Sequence, residues 1–71
     1  MERTYIESTM ITSIGYDFSQ AILEIEFKSN RQLWQYFDVP EYIWYEFESA
    51  LSIGKYFHAN IRGRYTENRV G

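Results

Sequence analysis

The stretch that decides the fold is AILEIEFKSNRQLWQYFDVP, Ala21 to Pro40. Its first part alternates, with Leu23, Ile25 and Phe27 on one side and Glu24, Glu26 and Lys28 on the other. That period of two marks a half-buried β-strand. Ser29-Asn30 reads as a two-residue hairpin loop, because Asn tolerates the positive φ such turns demand, and Gln32 to Asp38 then returns as an antiparallel strand. Partners in a hairpin keep a constant index sum. Lys28 opposite Arg31 therefore sets Phe27 against Gln32, Ile25 against Trp34 and Leu23 against Tyr36. Trp34 and Tyr36 share the apolar face, and a slip of one residue would expose both rings.

Upstream, Thr9 to Tyr16 (TMITSIGY) is rich in β-branched residues and reads as a first strand. Asp17 to Gln20 forms a four-residue loop, which sets Ile14 against Leu23 and Thr12 against Ile25. Met10, Ile14, Tyr16, Leu23, Ile25, Phe27, Trp34 and Tyr36 then make one apolar layer. Downstream, Val39-Pro40 ends the third strand and opens a helix, since proline lacks a ladder donor yet suits a helix start, and Glu41 favours the N-terminal dipole. Ile43, Trp44, Phe47 and Leu51 recur at helical spacing, opposite Glu41, Tyr45 and Glu48. Ser52 caps a second helix with Ile53, Tyr56, Phe57 and Ile61 inward and Lys55, His58 and Arg62 outward. Gly63 ends it, and Thr66 to Gly71 is expected to fray. The expected fold is a single α+β domain over residues 1–71, ordered from about 8 to 65. A three-stranded antiparallel meander is followed by two consecutive helices packed on one sheet face.

Composition fits one small domain. Of the 71 residues 45% are hydrophobic and 20% aromatic, so seven Tyr, five Phe and two Trp supply a core without staples. Cysteine is absent, which removes disulfides and thiolate chemistry and suits a reducing cytoplasm. No apolar run reaches the length of a signal peptide or a membrane span, so the reading is a soluble, unprocessed, cytoplasmic protein. The formal charge of −3 is unevenly spread. Met1 to Ala50 holds three basic residues against nine acidic ones, whereas Leu51 to Gly71 holds Lys55, Arg62, Arg64 and Arg69 against Glu67 alone. Such asymmetry marks a polyanion-facing end or serves solubility or internal pairing, and the Lys55, His58 and Arg62 stripe reads equally as a solvated helix face.

The residues also carry a likeness. Ser8-Thr9, Ile11, Ile14-Gly15-Tyr16-Asp17, Leu23-x-Ile25-x-Phe27, Trp34-x-Tyr36, Val39-Pro40, Ala50-x-Ser52-x-Gly54-x-Tyr56-Phe57 and Ile61-Arg62, taken in that order, resemble the KTSC domain family from about Ser8 to Tyr65. The resemblance implies a small domain found alone in bacterial and phage proteins and at the C-terminus of some lysyl-tRNA synthetases. From that company it implies RNA or tRNA as a partner. Two departures stand out: Trp34 replaces the first tyrosine of the family's Tyr-x-Tyr pair, losing a phenol, and Asn30 replaces the glycine of the hairpin turn.

Candidate sites follow from charge and ring chemistry. Lys55, His58, Arg62, Arg64 and Arg69 are placed to meet phosphates, with Asn60 and Tyr65 as base contacts. Of the motif aromatics, Trp34 and Tyr36 are assigned to the core by the register argument and Tyr56 and Phe57 by helical spacing, although rings on a sheet can also stack bases. Enzymatic readings lack parts. His58 is the only histidine, so with no cysteine it cannot build a multi-histidine metal site, and Ser13 and Ser52 have no base nearby. Glu24 and Glu26 are expected on a solvated strand face, and SIGY and SIGK hold too few glycines for a phosphate loop. The sequence thus points to a non-catalytic binding module without cofactor or metal. RNA is its first candidate partner. A basic protein meeting Tyr45, Glu41, Glu48, Glu24 and Glu26 is the alternative, with the domain acting as an adaptor or inhibitor.

Overall fold

The computed structural model describes all 71 residues. It is an antiparallel sheet of five strands in sequence order, β1 (Thr4–Tyr5), β2 (Ile11–Asp17), β3 (Ile22–Phe27), β4 (Leu33–Tyr36) and β5 (Glu67–Arg69). Between β4 and β5 lie α1 (Glu41–Glu48) and α2 (Ile53–Asn60), whose apolar sides cover one sheet face. Two strands therefore extend the expected meander. Residues 66–71 do not fray: Glu67 pairs with Tyr36, Asn68 with Gln35 and Arg69 with Trp34. At the other edge Thr4 and Tyr5 pair with Ile14 and Ser13. Both added strands are short and exposed, so neither has the apolar alternation that betrays a strand in sequence.

The central hairpin has the expected register, with Leu23 opposite Tyr36 and Ile25 opposite Trp34. Its turn differs in detail. Arg31, not Asn30, takes the left-handed conformation, at φ 56°, while the Asn30 side chain accepts the Gln32 N–H at 3.0 Å. The first hairpin is shifted by two. Ile14 faces Ile25 and Tyr16 faces Leu23, because the loop runs from Phe18 to Ala21 instead of from Asp17 to Gln20. A shift of two preserves the faces, so Ile14 and Tyr16 still point into the core. A β-bulge between Ile11 and Ser13 then changes the phase and turns Ile11 fully inward, leaving Met10 only partly buried.

Pro40 is extended and precedes the first turn of α1. The helix stops at Glu48, where the Ser49 hydroxyl donates to the Tyr45 carbonyl at 2.6 Å and competes with the backbone ladder. Leu51, expected inward, falls in the connection beyond that stop and is fully exposed. Ser52 caps α2 by accepting the Lys55 N–H, and Gly63, at φ 75°, reverses the chain after the helix. Twelve buried residues form the core, among them Ile14, Leu23 and Ile25 from the sheet and Ile43, Phe47, Ile53, Phe57 and Ile61 from the helical half.

The opposite sheet face departs most from expectation. Glu24 is buried, not solvated. Arg3 reaches across from the N-terminal segment and pairs with Glu24 Oε2 at 2.6 Å, while Gln35 donates to Oε1 at 2.9 Å. Arg3 also donates to the Ser13 hydroxyl, and Ser13 in turn donates to Glu26. Gly15 makes this cover possible, since a Cβ there would collide with the Glu2 backbone carbonyl.

Candidate nucleic-acid interface

Strand β4 sets out the site. Trp34 and Tyr36 point to the helix side, and the hairpin register places Phe27 beside them. On α2 the ring of Phe57 meets both Phe27 and Tyr36 edge-on, with centroids 5.4 and 5.8 Å apart. His58, the next residue, and Arg62, one turn later, stand at the rim of the same depression. The result is a groove of about 420 Å³ between α2, β4 and the β3–β4 turn. Trp34, Tyr36 and Phe57 line it from below and His58 and Arg62 from the helix.

The two rings on β4 differ. Tyr36 is 2% exposed and belongs to the core, as expected. Trp34 is half-buried: it packs against the core, its Nε1–H donates to Gln32 Oε1 at 3.1 Å, and part of its indole opens to the groove. Burial pushes the Tyr36 phenol well above its ordinary value of 10, and the Glu67 carboxylate adds to that shift while Arg62 opposes it. The Tyr36 hydroxyl makes no hydrogen bond within the protein. No polar side-chain atom is both fully buried and unpartnered, so this hydroxyl keeps a trace of solvent contact in a residue that lines the groove.

The basic side chains in and beyond the groove make no ion pair, although Glu67 lines the groove with Arg62. Arg3–Glu24 is the only ion pair in the molecule, so Lys55, Arg62, Arg64 and Arg69 have no carboxylate partner. Arg62 donates to His58 Nδ1 at 3.4 Å, one turn back along α2. Arg69 lies opposite Trp34 in the register, with its Nε–H on the Gly71 carbonyl at 2.8 Å.

Other residues that the sequence singles out lie outside the groove. Lys55 is exposed in the first turn of α2, and Arg64 is exposed beyond Gly63. Asn60 donates its amide to the Tyr56 carbonyl at 3.3 Å. Tyr65 packs against the core, and burial raises its phenol. Tyr56 is half-buried on the far side of α2, where its hydroxyl donates to Glu46 at 2.7 Å and ties the two helices together. Burial and that bond hold its phenol high. Five lining residues are not among the site residues the sequence singles out: Met10, Phe27, Ser29, Asn30 and Glu67. Glu67 escapes because its strand reads as a frayed end.

A family model for the KTSC domain matches residues 7–65. The chain belongs to the KTSC domain family. A crystal structure of a KTSC domain protein from Yersinia pestis superposes with a TM-score of 0.95 at 37% identity, covering 99% of this chain and 97% of that one. An uncharacterized protein of Stutzerimonas stutzeri (strain A1501) is 38% identical over 58 residues, 82% of this chain and 80% of its own length. No three His, Cys, Asp or Glu side chains converge to hold a metal ion, and no helix is long and apolar enough to cross a membrane.

Proposed function

We propose that this KTSC domain is a non-catalytic binding module that takes single-stranded RNA in the groove between β4 and α2. One observation carries the reading: a part-exposed indole and an Arg62 without an ion pair face the same depression. Trp34 supplies a stacking surface for an unpaired base, and the Arg62 guanidinium supplies a fork for a phosphate. His58 stands beside it, while Lys55, Arg64 and Arg69, outside the groove, add diffuse positive charge. The acidic total limits nonspecific affinity, so binding is weak and salt-sensitive.

Amide NMR titration with a short single-stranded RNA and with tRNA, at two salt concentrations, tests this. Salt-sensitive shifts are expected at the Trp34 indole, His58 and Arg62. Charge reversal by Arg62→Glu with Arg64→Glu is expected to weaken binding by at least about tenfold. Unchanged affinity in that double variant overturns the reading.

A second reading has its own support. Phe18 and Tyr45 are exposed with their rings 6.1 Å apart, and Tyr45 shares α1 with exposed Glu41 and Glu48, a composition suited to a basic protein partner. Glu24 and Glu26 lie on the sheet face away from the helices, and Glu24 is closed by Arg3, so this surface is smaller than the sequence implies. Capture of such a partner by the Arg62→Glu, Arg64→Glu variant, with RNA binding absent in both proteins, favours it.

A further inference from the structure

The groove holds a group that phosphate and stacking do not explain. Glu67 lies opposite Tyr36 in the β4–β5 register and lines the groove, its carboxylate close enough to act on the Tyr36 phenol. It makes no ion pair, and no protein donor is bonded to it. A carboxylate repels a phosphate and only accepts hydrogen bonds, so within an RNA site its partner must be a donor on the base or the sugar. Its neighbour, the unbonded Tyr36 hydroxyl, both donates and accepts. Trp34 and Arg62 line the same groove and supply a ring surface and a phosphate fork there.

A carboxylate offers two oxygens side by side, and it is matched by two adjacent N–H donors. Among the four RNA bases only guanine presents such a pair on its Watson–Crick edge, N1–H and the N2 amino group. Adenine and cytosine set a ring-nitrogen acceptor beside their amino group, and uracil flanks its single N–H with two carbonyls. Each of those places a lone pair against the carboxylate. We propose that the groove selects an unpaired guanine, with Glu67 accepting from N1–H and N2–H, the ring against Trp34, and the adjoining phosphate on Arg62. This rests on the RNA-binding reading and adds the identity of the base.

The test compares the pentanucleotides UUGUU, UUIUU, UUAUU and UUCUU, where I is inosine, by NMR titration of the full chain and of Glu67→Gln. The wild type is expected to bind UUGUU about tenfold more tightly than UUAUU or UUCUU, the usual scale for one bidentate base contact. Inosine, which keeps N1–H and lacks the amino group, falls between. Glu67→Gln, an exposed and nearly isosteric change, is expected to retain UUAUU binding and to bring the guanine preference within about twofold. Equal binding of all four by the wild type, with groove shifts, overturns the guanine assignment and leaves RNA binding standing. A guanine preference that survives in Glu67→Gln overturns the role of Glu67. No shift with any pentanucleotide at low salt overturns both readings.

Discussion

Alternate residues of strand β4 serve two different polar clusters. Gln35 faces outward and joins Arg3, Ser13, Glu24 and Glu26 in a set whose donors and acceptors satisfy one another. Trp34 and Tyr36 face the helix side, where Arg62 and Glu67 stand unpaired and the Tyr36 hydroxyl is unbonded. Glu24 is buried and both its oxygens are engaged; Glu67 is exposed and neither is. The difference separates polar groups that hold a fold together from polar groups left available to a ligand. A closed network returns its desolvation cost as intramolecular bonds. An open one contributes little to stability and gains its partners only on binding.

Stability measurements test that contrast most strongly. Arg3→Ala leaves Glu24 buried without its cation and is expected to cost about 2–3 kcal/mol in urea unfolding, the lower end of the range for a broken buried pair because Arg3 keeps 28% exposure. Arg62→Ala is expected to stay within about 0.5 kcal/mol of the parent. Equal costs would break the comparison. Trp34→Ala should fall between, at about 1–2 kcal/mol, since part of the ring is already in solvent, and it should remove RNA-induced shifts in a chain that still folds. A folded variant that binds RNA as before would take the stacking role away from Trp34.

The smallest effect sharpens the groove's electrostatics. Removing the Glu67 charge with Glu67→Gln should let the Tyr36 phenol ionise at a lower pH, whereas Arg62→Ala should delay it, both read by NMR of the ring carbons. The raised phenol also gives the sign of a stability trend. An unfolded tyrosine ionises near 10 while Tyr36 stays protonated, so its contribution is full below pH 10 and is lost as pH rises above that.

Much of this contrast is legible in the sequence, and the failures have physical causes. The register of the central hairpin follows from placing Lys28 opposite Arg31, and the even parity of its loop is enough to assign Trp34 and Tyr36 to one face. The stripe of His58 and Arg62 follows from helical spacing. Ile11 cannot be assigned inward in the same way, because a bulge resets the alternation and no residue type announces it. Glu24 cannot be read as buried, because alternation predicts a face and not what covers it; the cover is Arg3, far away in sequence. Strands β1 and β5 are exposed, so their pairing depends on hydrogen bonds to β2 and β4 and leaves no apolar pattern. With β5 unseen, Glu67 is unseen too.

That last strand bears on how the domain opens. Sheet order follows chain order, so β1 through β4 are joined by short loops, whereas β5 is joined to β4 only through both helices. None of its residues belongs to the core cluster. Detaching β5 therefore leaves the core intact but carries Glu67 and Arg69 away from Tyr36 and Trp34. The amides bridging this edge, at Leu33, Phe37 and Val70, should exchange with solvent long before those of β2 and β3. A ligand gripping Glu67 and Trp34 together would slow that exchange, making the edge amides a clock for occupancy.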